Sequence, residues 1–132
     1  MIPAIREFLD RLHQMLDGSE RPLVDRDHIE VTTHDTEARV VIPHREPDQP
    51  GIEIEVGERY VFVTWTPERQ RVTGYDDALR VIEALLDGRV ELVVTEHFVY
   101  RKRCSSIDGR LFLTTRMPAL TFRSGTERRR FF

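Results

Sequence analysis

Ile52-Glu53-Ile54-Glu55-Val56-Gly57-Glu58-Arg59-Tyr60-Val61-Phe62-Val63-Thr64-Trp65 is the stretch that decides how this chain folds. Before Gly57, isoleucine and valine alternate with glutamate. After Arg59, valine alternates with aromatic and hydroxyl residues. A period of two marks strands with one buried face. Gly57-Glu58 suits a two-residue hairpin turn, because glycine followed by almost any residue fits one favoured type. Pairing through that turn sets Ile54 against Val61 and Ile52 against Val63 on the core face. Glu53, Glu55, Tyr60 and Phe62 are then left together on the other face.

Upstream, HIEVTTH and EARVVI flank Asp35-Thr36 as a first hairpin. That register pairs Val31 with Val40 and Ile29 with Ile42, placing all four on one face. HREPDQPG (44–51) carries two prolines and a glycine and reads as a loop. Residues 3–17 place Ile5, Phe8, Leu9, Leu12, Met15 and Leu16 at helical spacing, which predicts an amphipathic helix. Pro3 suits its first turn and Gly18 a left-handed position after its last.

Downstream, TPERQRVTG reads as a loop. A second helix runs to about Asp87, with Thr73 or Asp76 as its N-cap and Gly88 as its stop. Residues 90–106 read as one long extended segment, and Asp108-Gly109 is the strongest hairpin signal in the chain. ALTFRS (119–124) reads as a last short strand. GTERRRFF (125–132) reads either as a flexible basic-aromatic tail or as a further strand.

The order α-β-β-β-β-α-β-β-β over residues 1–132 predicts a single α+β domain. Its sheet is expected to be mainly antiparallel, of about six to seven strands, with two helices on one face. The connection through the second helix leaves room for one parallel pair.

The net charge of −3 conceals a split. Residues 1–100 carry eleven basic and twenty-one acidic side chains, while residues 101–132 carry nine basic and two acidic ones. The Asp-Gly hairpin, with a two-residue loop, puts Arg101, Arg103 and Arg116 on one non-core face, with Arg123 following on the next strand. That basic surface invites a nucleic-acid reading. The acidic remainder repels a polyanion, and Phe112 is the single stacking candidate on that face, so nucleic acid is not the expected partner. Cross-strand pairing of these arginines with glutamates is the plainer account.

No apolar run approaches the roughly 18 residues of a membrane helix. MIPAIREFLDRL lacks a basic start and an unbroken apolar core, so it does not read as a signal peptide. The single cysteine, Cys104, excludes an intrachain disulfide and fits a reducing, cytoplasmic setting. It alternates with apolar neighbours and reads as a buried, inert thiol.

No catalytic constellation stands out. His28 and His34 are roughly 20 Å apart if they share a strand, too far to hold one metal ion with Glu30. Asp76 and Asp77 serve the positive end of a helix rather than acid–base work. Ser105-Ser106 and His97 lack the turn and the third partner that a nucleophile needs. The expectation is a non-enzyme without metal or cofactor.

The order IEIEVGERYVFVTW, DDALRVIEALLDGRVELVV and then the Asp-Gly hairpin resembles small immunity proteins of bacterial polymorphic-toxin systems. That resemblance implies an acidic single-domain α+β protein that blocks a partner toxin without chemistry of its own; the sequence itself leaves monomer and homodimer both open. It assigns no residues. From the residues themselves, Glu53, Glu55, Tyr60 and Phe62 are the partner-contact candidates: aromatics supply contact area and carboxylates select a basic protein. The alternatives are a secretion-type chaperone, which the helix–sheet layout and acidic charge also suit and which dimerisation through an open sheet edge would favour, and a nucleic-acid binder using the arginine strands.

Overall fold

Two hydrogen-bonded sheets organise the protein. A computed structural model of the chain describes residues 2–18, 20–65, 68–72, 74–96, 100–107, 110–118 and 125–130. The chain divides after Leu86 into two compact units. All described strand pairs are antiparallel. The class is α+β as predicted, but the strands fall into two sheets rather than one.

The first unit begins with α1 (Pro3–Asp17) and a single 3-10 turn at Arg26–His28. Five strands follow: β1 (Glu30–Thr33), β2 (Ala38–Ile42), β3 (Ile52–Val56), β4 (Val61–Trp65) and β5 (Glu68–Val72). They form a meander in sequence order, and α2 (Tyr75–Leu86) completes the unit. Alternation in β3 and β4 does what the sequence pattern requires. Ile52, Ile54, Val61 and Val63 are fully buried, while Glu53, Glu55, Phe62 and Thr64 are half-buried on the opposite face. The inner face packs against the helices: α2 lies on β4 and β5, and α1 lies against α2. Ile5, Phe8, Leu12 and Leu16 form the buried stripe of α1.

The first hairpin has the predicted register, Val31 opposite Val40. The second is two residues longer in its loop: Ile54 stands opposite Val63, not Val61. Because that shift is even, every side chain keeps its predicted face. Gly18 is not left-handed (φ −76°), although its N–H still donates to the Gln14 carbonyl at 2.8 Å. Gly88, with φ 70°, is left-handed and ends α2 as expected. Gly74 stands before α2 and accepts from the Ala78 N–H at 3.0 Å, in place of an Asp76 cap; Thr73 lies outside the described residues.

Strand β5 occupies a stretch read as loop. ERQRV has no apolar alternation to announce a strand. At the edge of a sheet, main-chain pairing with β4 suffices and polar side chains are favoured.

The second unit holds β6 (Val90–Glu96), β7 (Tyr100–Ile107), β8 (Arg110–Pro118) and β9 (Gly125–Arg130) in the order β8-β7-β6-β9. The segment 90–106, read as one extended piece, is two antiparallel strands; no glycine or proline between them signals a turn. Residues 125–130 form a strand against β6 rather than a free tail. The ALTFRS strand lies outside the described residues. A bulge between Ser105 and Ser106 shifts the β7–β8 register by one, so Cys104 stands opposite Thr114 instead of Leu113. The unbroken register with β6 sets Ser105 opposite buried Leu92 and Cys104 opposite Val93 on the other face, so Ser105 is the buried residue and Cys104 is half-buried rather than in the core.

Candidate functional site

The face of the five-stranded sheet turned away from the helices carries Glu53, Glu55, Tyr60 and Phe62 together, as the alternation predicts. Period-two geometry places Glu53 and Glu55 on β3 and Phe62 on β4, with Glu55 directly opposite Phe62. Tyr60 comes from the connecting loop and is 38% exposed. Its ring meets that of Phe62 edge to face, with centroids 5.1 Å apart and planes at 70°. Such a pair contributes about 0.5–1.5 kcal/mol beyond area burial and is stiff in both rings.

Arg39 and Arg71 also lie on this face. Arg71, on β5, stands opposite Phe62, and its guanidinium carbon sits 4.9 Å from the Tyr60 ring centroid. This cation–π contact at a solvent-exposed site is worth about 0.5–1 kcal/mol. Arg39, on β2, stands opposite Glu55 but reaches diagonally to Glu53, with its Nη2 2.8 Å from Oε1. Both partners of that pair are substantially exposed, so it orients side chains more than it stabilises the fold. The face is therefore two-signed rather than simply acidic.

The loop that presents Tyr60 is held at both ends. The Gly57 N–H donates to the Tyr60 carbonyl at 2.9 Å, closing the loop within the hairpin. The Tyr75 hydroxyl, from the first turn of α2, donates to the Gly57 carbonyl at 2.7 Å. Burial pushes the Tyr75 phenol above its usual 10, which keeps it a donor throughout the neutral range. A concavity of about 460 Å³ opens between this loop and the tip of the first hairpin, lined by Thr32, His34, Glu37, Arg39, Glu55 and Tyr60.

Arg39, Arg71 and Tyr75 were not among the predicted site residues. Face parity across β2 gives a signal for Arg39. Arg71 lies in the stretch read as loop, and the Tyr75 contact spans 18 residues, beyond any local pattern.

The predicted basic surface is rearranged. Arg101 pairs directly with Glu96, Nε to Oε1 3.4 Å, and position 103 stands opposite Val94. Both positions fall on the face of Val90, Leu92 and Val94, which are buried. The bulge sets position 116 opposite Lys102, on the other face. Arg101, Arg103 and Arg116 thus do not form one patch, and Arg123 lies outside the described residues. Arg128 reaches Glu91 at 2.7 Å, so part of the positive charge is paired within the sheet.

Of the remaining candidates, His28 and Asp76 have structural partners. His28 Nδ1 lies 2.8 Å from Asp25 Oδ2, and the Asp25 hydrogen bond raises the His28 pKa above the ordinary 6.5. Asp76 pairs with Arg11 of α1, whose hydrogen bond and charge hold that carboxyl below 3.8. His97 lies outside the described residues. Among the described residues no three His, Cys, Asp or Glu side chains converge as metal ligands do.

Fold and face together define an α+β protein whose first sheet presents aromatic, carboxylate and guanidinium groups on the side its helices leave uncovered. Set against known proteins, the chain matches no family model, no curated protein and no solved structure. No helix among the described residues is long and apolar enough to cross a membrane.

Proposed function

We propose that this chain is a non-enzymatic protein-binding domain, most concretely an immunity-type inhibitor that occludes a partner toxin with the outer face of its first sheet. One observation carries the reading: the Tyr60–Phe62 ring pair sits beside Glu53 and Glu55 on the sheet face opposite the helices. Rigid aromatics give contact area at low entropic cost, and flanking carboxylates steer a basic protein to them. Arg39 on Glu53 and Arg71 on Tyr60 pre-orient the contact groups, which lowers the ordering cost of association. Inhibition then needs only steric exclusion of the toxin's own substrate.

Affinity capture from native lysate tests this. The wild-type protein should retain a basic protein that both Glu53→Arg with Glu55→Arg and Tyr60→Ala with Phe62→Ala fail to retain. Equal retention by wild type and both variants removes the assignment of this face.

A further inference from the structure

Among the described strands β1 ends the five-stranded sheet, and the geometry of that edge is specific enough to name what adds to it. In the first hairpin the His34 N–H donates to the Glu37 carbonyl at 2.8 Å. Hydrogen-bonded and non-hydrogen-bonded pairs alternate along an antiparallel ladder. The bonded pairs are therefore Thr32 with Arg39 and Glu30 with Val41. The main-chain N–H and C=O groups of Val31 and Thr33 point the other way, out of the sheet. All four residues of β1 are exposed, and Val31, at 56%, is the most exposed large apolar side chain among the described residues.

Beside this edge lies an apolar groove of about 480 Å³, between α1 and the inner face of β1 and β2. Its floor comes from Leu9, Leu12, Leu16, Ile29, Val31 and Val40. Asp10 and Asp17 border it together with His13 and Arg26. On the opposite face of β1, Glu30 projects beside the positions that would flank an incoming strand. The first unit as a whole has ten basic and eighteen acidic side chains, a balance of −8.

We propose that the β1 edge accepts an extended segment of a basic partner protein in which aliphatic residues alternate with lysine or arginine. The segment exchanges main-chain hydrogen bonds with Val31 and Thr33 as an added antiparallel strand. Its aliphatic residue opposite Val31 shares that residue's face and enters the groove. Its neighbours fall on the other face, where a basic side chain meets Glu30. Charge decides against a second copy of this chain as the occupant, since it would bring the same −8 to the interface. This docking mode goes beyond the outer-face reading and requires neither Tyr60 nor Phe62.

The test is fluorescence anisotropy with a short labelled peptide of alternating lysine and valine, and a control peptide of alternating glutamate and valine. The lysine peptide should bind the full chain and the glutamate peptide should not. Thr33→Pro deletes an outward N–H yet leaves the β1–β2 ladder intact, and should weaken binding about tenfold. Val31→Asp, which keeps the backbone unchanged and charges the groove, should abolish binding even if Thr33→Pro proves unfolded. Tyr60→Ala with Phe62→Ala should bind the peptide like wild type, which separates this edge from the outer face. Equal affinity for both peptides, no affinity for either, or full binding by Val31→Asp overturns the proposal. So does a wild-type dimer in light scattering that Val31→Asp dissociates, because the edge would then belong to a second copy.

Discussion

The Tyr75 hydroxyl donates to the Gly57 carbonyl across 2.7 Å, tying the first turn of α2 to the loop that presents Tyr60. The same ring packs on Phe8 of α1, centroids 5.6 Å apart. One side chain thus links both helices to the loop that carries Tyr60. Tyr75→Phe keeps the ring contact and leaves the partly buried carbonyl without this donor. It should destabilise the protein by about 1 kcal/mol in urea unfolding. An unchanged midpoint would show that the loop is held by the hairpin alone.

Ser105 is 1% exposed, and its hydroxyl has no hydrogen-bond partner among the described residues. It stands opposite Leu92 on one side and Leu113 on the other. A buried hydroxyl without a partner loses its hydration for nothing in return. Ser105→Ala should therefore be neutral or stabilising by up to about 1 kcal/mol in thermal unfolding. A clear loss of stability would mean that the hydroxyl is hydrogen-bonded in solution.

The His28–Asp25 pair makes stability depend on pH in a definite direction. Its folded-state pKa is raised above 6.5, chiefly by the Asp25 hydrogen bond. Its contribution is therefore complete below about pH 6.5 and disappears as pH rises through the raised folded value. His28→Gln should lower stability at mildly acidic pH and leave it unchanged well above the folded value. Asp25→Asn should return the imidazole titration, followed by NMR, to its ordinary range. Asp76 works in the opposite sense: its pairing with Arg11 contributes above pH 3.8 and fades as pH falls through the lowered folded value.

Much of the candidate site was legible because side-chain direction in a strand has a period of two. The β3–β4 loop proved longer than its turn residues suggested, yet Glu53, Glu55, Tyr60 and Phe62 kept their common face because the shift was even. The single-residue bulge, which leaves position 112 of β8 without an opposite residue, had the opposite effect. It split Arg101 and Arg103 from Arg116, and nothing in RLFLTTRMP signals it. The arginine that lies over Tyr60 was hidden for another reason. ERQRV earns its place as a strand through pairing with β4, a property of the partner and not of its own pattern.

Local alternation by itself determined the two faces of the β3–β4 hairpin, the amphipathic stripes of both helices and the α+β class, because each follows from a short repeat of apolar residues. Tertiary structure alone decided where the strands divide into two sheets, which arginine meets which glutamate, and which edge stays open at Val31 and Thr33. Those outcomes depend on hydrogen-bond registers between segments far apart in the chain, where a displacement of one residue reverses every side chain and local composition carries no record of it.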